Sequence, residues 1–274
     1  MNYCRLISST AYDKLCLSRG EIEFLRFGCG KKTLILLPGL GSALRSLKGT
    51  ALPMALMYKI FAEDYRVYMF SRRENCDEGC TTAEMADDLA EAMGKLCIGK
   101  AAVVGVSMGG MIAQQLAIRH SELVEKLVLA VTCAGPNSTL LHAVTEWMEL
   151  ARRGKHAAFM ESNLRLIYSD AYYRRNKWMT QLLGLLTKPD SYRPFLIQAE
   201  ACLHHDARDG LGNINCPTLI IGGEIDKVVS PDESRELHRL VPGSELYMYE
   251  NLGHGLYEEA KDFNERVRRF LALR

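Results

Sequence analysis

The chain has 274 residues, 48% of them apolar and 24% charged, with Lys plus Arg (34) nearly balanced by Asp plus Glu (33). A length of this order suits one domain, or one domain with an insertion, and supports a sizeable core. The near-zero net charge supplies no global field toward nucleic acid or an acidic lipid surface, so neither is expected as a partner. Nine cysteines, an odd number spread thinly, predict free thiols and a reducing cytoplasmic setting, not a disulfide framework.

The first twenty residues are interrupted by Arg5, Asp13, Lys14 and Arg19, which excludes the unbroken apolar core of a signal peptide. Lys14–Ser18 and Glu21–Phe27, split by Arg19-Gly20, predict an opening hairpin. Thr33–Leu37 is an apolar run stopped by Pro38-Gly39 and reads as a central strand. A helical stretch is expected over Leu44–Ala62, interrupted near Pro53, and a strand over Arg66–Phe70. Ser71–Cys80 has no periodicity and reads as a polar loop. Thr81–Leu96 carries Met85, Leu89, Ala92, Met93 and Leu96 on one side, with Thr81 and Glu84 spaced for a capping box.

Ala101–Ile118 is uncharged and nearly long enough to cross a membrane. Ser107, Gly109-Gly110 and Gln114-Gln115 at its centre fit a buried strand (Ala101–Val106), a tight turn and a helix (Met108–Arg119) better, so no membrane segment is expected. Strands at Leu127–Thr132, Thr218–Ile221 and Glu245–Tyr249 follow, with helices at Asp232–Leu240 and Tyr257–Leu273. The alternation predicts an α/β fold with a mostly parallel sheet covered on both faces. Between them, residues 136–213 contain no convincing strand and much helical pattern, including Trp147, Met148, Tyr168, Tyr172, Trp178 and Met179. That segment is expected to be a helical cap inserted into a core formed by residues 1–135 and 214–274.

Gly105-Val106-Ser107-Met108-Gly109 fits G-x-S-x-G at a strand-to-helix junction. There a serine sits in a strained turn, and the helix N-terminus favours developing negative charge beside it. A serine hydroxyl needs a base. His254, in Asn251-Leu252-Gly253-His254-Gly255 at a strand's C-terminal end, is the candidate; His120, His142, His156, His204 and His238 fall on helices or in the cap. The acid should follow the preceding strand, where Glu224 and Asp226 both stand, and Asp226 is preferred. No metal is expected. Cys76 and Cys80 lack CxxC spacing and read as loop or surface thiols, and His204-His205-Asp206 diverge too far along a helix to share an ion, reading as a mostly solvated polar patch. With no dinucleotide fingerprint, no cofactor is expected.

Pro-Gly-Leu-Gly after Leu34–Leu37, GVSMGG, GGEIDKVVSP and NLGHG together resemble the α/β-hydrolase superfamily over essentially the whole chain, apart from the cap and the loop after Phe70. The resemblance implies an acid at Asp226 and an oxyanion hole formed by the backbone N–H groups of Leu40 and Met108. Two features depart from the family. Pro38 stands where many relatives have histidine, and Ser71-Arg72-Arg73-Glu74-Asn75 replaces an Asp…Arg-Gly-x-Gly loop. Arg72 and Arg73 could bind an anionic substrate group, but the preferred reading makes them structural ion-pair partners. The expected function is hydrolysis of a small-molecule carboxylic ester, thioester or lactone through an acyl-enzyme on Ser107, with an apolar acyl pocket under the cap. Amidase, C–C hydrolase and acyltransferase chemistry fit the same residues, and the rival from another class is a triad-bearing receptor with little turnover. A homodimer is left open.

Overall fold

In the computed structural model, residues 3–273 are described, with the side chains of residues 3–4 and 179–186, Met179 included, outside the description. A short helix α1 (Tyr3–Ser9) leads into an antiparallel pair, β1 (Ala11–Leu17) and β2 (Gly20–Phe27). Then come β3 (Lys32–Leu37), a 3-10 turn (Leu40–Leu44), α2 (Ala51–Met57), a second 3-10 turn (Lys59–Phe61), β4 (Tyr65–Arg73), α3 (Thr82–Lys95), β5 (Ala101–Val106), α4 (Met108–Arg119) and β6 (Val124–Ala130). Four helices follow, α5 (Ser138–Arg152), α6 (His156–Ile167), α7 (Asp170–Leu186) and α8 (Arg193–Leu203), and then a single turn, α9 (Arg208–Leu211). The sheet resumes with β7 (Thr218–Gly223), α10 (Pro231–Leu240) and β8 (Glu245–Tyr249), and the chain ends in α11 (Leu256–Glu259) and α12 (Phe263–Ala272).

The strand order is β1-β2-β4-β3-β5-β6-β7-β8, antiparallel at the β1–β2–β4 edge and parallel from β4 onward. This is the α/β-hydrolase fold with a helical insert, α5 to α8, between β6 and β7. Every residue of β5 and of β7 is buried, as strands covered on both faces require. Their alternate side chains feed two cores. Val103 joins Met85, Leu89, Met111 and Leu116 of α3 and α4, while Val104 joins Phe61, Phe263 and Phe270 on the other face. Burial there drives folding at roughly 25 cal/mol per Å² of apolar surface removed from water. The expected capping box is present at α3, with the Thr81 side chain accepting from Glu84 N–H and the Glu84 carboxylate accepting from Thr81 N–H.

Four expectations need correction. The stretch Leu44–Ala62 holds only α2 and the short 3-10 turn Lys59–Phe61, after the first 3-10 turn has ended at Leu44, and Pro53 lies in the first turn of α2, where a missing N–H costs nothing. β4 does not stop at Phe70. It runs to Arg73, which pairs with Ile22, so Arg72 and Arg73 are buried strand residues; Cys76 and Cys80 in the following loop are buried as well. The final helix is split, because Ala260 is extended and the Asp262 carboxylate is engaged by Tyr249 Oη (2.9 Å) and by Arg266 (2.8 Å). His205 is not solvated. It is 1% exposed, with Nδ1 2.9 Å from Thr82 Oγ1, tying the end of the helical insert to the start of α3.

Burial lowers the His205 pKa from 6.5 to about 4. The unfolded chain therefore binds one more proton than the folded one between those values, so His205 weakens the fold as pH falls from about 6.5 through 4. The full effect is on the order of 3 kcal/mol. Urea midpoints for the wild type and His205→Gln should diverge across that window, the variant losing less stability on acidification. Parallel curves would mean that His205 takes up its proton in the folded state.

Candidate functional site

β5 ends at Val106 and α4 begins at Met108, leaving one residue for the whole change of direction. Ser107 makes it at φ 53°, ψ −121°, a conformation that costs an L-residue about 1–3 kcal/mol. The neighbouring glycines are required by contact. A Cβ on Gly105 would stand 2.5 Å from the Gly109 carbonyl oxygen, and one on Gly109 would stand 2.0 Å from that of Leu37. The Ser107 N–H donates to Ala130 O at 2.9 Å, fixing the turn to β6.

Two further loops, at the C-terminal ends of β7 and β8, reach this serine. His254 Nε2 lies 2.9 Å from Ser107 Oγ, and its Nδ1 lies 2.9 Å from Asp226 Oδ2. The other Asp226 oxygen, Oδ1, accepts the N–H groups of Val228 (2.8 Å) and Val229 (3.0 Å), so the carboxylate is fixed by backbone as well as by imidazole. Both side chains are buried, at 5% and 2% exposure. Gly223 lets the two loops touch, since a Cβ there would meet Leu252 O at 2.3 Å. Glu224, the other candidate acid, points elsewhere and is bound by Arg235 at 2.6 Å.

Leu40 opens the 3-10 turn after β3, and the adjacent Gly39 comes close enough that a Cβ would lie 3.3 Å from Ser107 Cβ. Met108 is the first residue of α4. Among the described residues neither the Leu40 nor the Met108 N–H is paired with an acceptor, which leaves both free for an oxygen bound beside Ser107.

Arg73 makes the expected ion pair, Nε to Asp88 Oδ2 at 3.0 Å with both side chains buried. Arg72 does not: among the described residues it has no carboxylate partner, and its guanidinium donates to Ser42 Oγ (2.9 Å) and to the Pro38 carbonyl. Residue type alone gave no sign of that, because two adjacent arginines on a strand face opposite sides.

The insert meets the site at the corner between α6 and α7. The Gly255 N–H donates to Ile167 O at 2.6 Å, Tyr168 Oη donates to Glu258 at 2.6 Å, and Ser169 donates to Glu259 through both N–H (2.9 Å) and Oγ (2.6 Å). Trp147 belongs to the core, with Nε1 donating to Ser162 Oγ, while Trp178 is 67% exposed. One cavity of about 380 Å³ lies beside the 3-10 turn and is lined by Ser42, Arg72, Arg193, Ile197 and Gln198 among others. A larger one of about 1000 Å³ lies between Cys80, Met148, Tyr192 and Leu196; Ser107 lines neither. Among the described residues no helix is long and apolar enough to cross a membrane, and no group of three or more His, Cys, Asp and Glu side chains could hold a metal.

The strained turn makes a direct prediction. Ser107→Gly removes the Cβ that makes φ 53° costly, so its melting temperature should equal or exceed that of Ser107→Ala, despite the usual entropic penalty of glycine. Gly109→Ala should destabilise the protein severely, because its Cβ meets backbone. If thermal melts show Ser107→Ala clearly above Ser107→Gly, the turn is not strained.

A family model described as serine aminopeptidase, S33 (Hydrolase_4) matches residues 78–261, more than half of the chain. A protein of Rhizobium rhizogenes that bears the provisional name of carbamate hydrolase is 27% identical over 261 residues, covering 89% of this chain and 94% of that relative. Two solved structures share the fold. One is an α/β-hydrolase enzyme from a Medee basin deep-sea metagenome library, with a TM-score of 0.85, 24% identity and coverage of 96% of this chain and 98% of that one. The other is an enol-lactonase from Burkholderia xenovorans, with a TM-score of 0.79, 22% identity and coverage of 95% and 100%. The one-residue elbow at Ser107, the sheet order and these matches agree, and the chain belongs to the Hydrolase_4 family of the α/β-hydrolase superfamily.

Proposed function

We propose that this hydrolase cleaves a carboxylic ester, or a related thioester or lactone, through an acyl-enzyme on Ser107, with His254 as base and Asp226 as the acid of a catalytic triad. The observation that carries the reading is the unbroken relay from Ser107 Oγ to His254 Nε2 to Asp226 Oδ2, each step 2.9 Å.

In this mechanism the Asp226 carboxylate accepts the Nδ1–H of His254, which leaves Nε2 unprotonated and aimed at the serine. Ser107 Oγ attacks the carbonyl carbon as its proton passes to Nε2. The carbonyl oxygen becomes an oxyanion between the N–H groups of Leu40 and Met108, the second at the positive end of α4. Collapse expels the alcohol, which takes the proton from His254. A water then repeats the sequence, giving its proton to His254, releasing the acid and restoring Ser107. Glu224 has no part in it, being engaged by Arg235. The relatives named above for a carbamate and an enol-lactone carry names for acyl derivatives, which fits chemistry at a carbonyl. The substrate is a small acyl compound, residues 136–213 act as the cap over the site, and the free thiols of Cys16, Cys76, Cys80, Cys97, Cys133, Cys202 and Cys216 suit a reducing cytoplasm.

Steady turnover of short p-nitrophenyl esters should be lost in Ser107→Ala and reduced by about three to four orders of magnitude in Asp226→Asn, which holds the wrong imidazole tautomer. Glu224→Gln should stay within a few-fold of wild type. A single burst with no turnover would favour the receptor reading, and an inactive Glu224→Gln beside a nearly normal Asp226→Asn would show the acid to be misassigned.

A further inference from the structure

An oxyanion hole works only if its N–H groups already point at the place where charge will appear. Met108 is oriented by α4. Leu40 has no such frame, since it begins a five-residue 3-10 turn whose preceding residue, Gly39, has no side chain to restrain it. The Leu40 N–H belongs to the Gly39–Leu40 peptide. In a trans peptide the N–H points opposite to the C=O, so whatever holds the Gly39 carbonyl aims the Leu40 N–H.

Ser42 holds that carbonyl. Its N–H (3.2 Å) and its Oγ (2.9 Å) both donate to Gly39 O. Ser42 Oγ has only one proton to give and accepts in turn from Arg72 Nη1 at 2.9 Å, while Arg72 Nη2 donates to the Pro38 carbonyl one peptide earlier. The planar guanidinium thus bridges two points of the loop, with a geometry that an ammonium could not reproduce. Arg72 is 7% exposed and has no carboxylate partner among the described residues. Burial lowers its pKa to about 10, so it remains charged at neutral pH and its hydrogen bonds are charge-assisted. Burying a charge with only neutral partners is costly, and the loop is what receives the benefit. Farther along, Glu23 accepts Ser46 Oγ (2.6 Å) and Leu47 N–H (2.8 Å), so the segment is pinned at its far end without Arg72.

We propose that Arg72, acting through Ser42, is a positioning residue that fixes the Gly39–Leu40 peptide with its N–H turned toward Ser107. The inference rests on the acyl-enzyme reading above. Arg72 and Ser42 touch no substrate; they set how well the tetrahedral intermediate is held, which alters kcat and leaves KM nearly unchanged.

The test compares wild type, Ser42→Ala, Ser42→Thr and Arg72→Lys, using p-nitrophenyl butyrate and an alkyl trifluoromethyl ketone, whose adduct with a serine places an oxyanion in the hole. Ser42→Ala deletes one oxygen at a half-buried position and keeps the Ser42 N–H bond. It should lower kcat roughly tenfold and raise the ketone Ki by a similar factor, with KM within about twofold, and Ser42→Thr should restore both. Arg72→Lys should lose at least as much as Ser42→Ala. Unchanged kcat in folded Ser42→Ala, or a lower kcat with an unchanged ketone Ki, would overturn the positioning role. Turnover that survives Ser107→Ala would instead overturn the underlying reading, so the two failures are distinct.

Discussion

Ser107 must turn the chain from strand to helix in one residue while presenting its hydroxyl, and the rest of the site follows from the space this leaves. At φ 53° the chain passes from the end of β5 into the first turn of α4 within one residue. The turn closes only if α4 comes within contact of Leu37 at the end of β3, which forbids a side chain at Gly109. The same closeness brings Gly39, in the loop after β3, beside the serine. A strain of about 1–3 kcal/mol persists because the packing of β3, β5, β6 and α4 overdetermines it.

The other residues arrive from loops that have little regular structure of their own, and each is held by backbone. Asp226 is fixed by the N–H groups of Val228 and Val229 in its own loop, and His254 stands between Gly253, packed on the Ile225 carbonyl of the β7 loop, and Gly255, packed on Tyr168. The corner between α6 and α7 braces the histidine loop through Ile167, Tyr168 and Ser169. Hydrogen bonds onto the Glu258 and Glu259 carboxylates are charge-assisted and stronger than the exposed Lys227–Asp170 pair beside them, which is worth little. The insert is therefore anchored beside the site at this corner.

The elements around the site were legible in the sequence because their signals are local. Helix α4 runs from Met108 to Arg119 as its motif and apolar content predict, and Thr81 with Glu84 marks the start of α3. What the sequence concealed was long-range. Arg72 and Arg73 look like loop residues, yet β4 continues through them because β2 pairs with it and Asp88 neutralises Arg73. His205 reads as surface until Thr82, more than a hundred positions away, supplies a buried partner. The break between α11 and α12 depends on Tyr249 of β8 reaching Asp262, which no window of periodicity contains.

The central claim, that Ser107 is the nucleophile, is tested most directly by a fluorophosphonate probe, which phosphonylates a serine only when a base and an oxyanion hole are assembled around it. Mass spectrometry should show one adduct per chain on the peptide containing Ser107, absent from Ser107→Ala. An adduct that persists in Ser107→Ala, or a chain that hydrolyses esters while Ser107 remains unlabelled, would contradict the account.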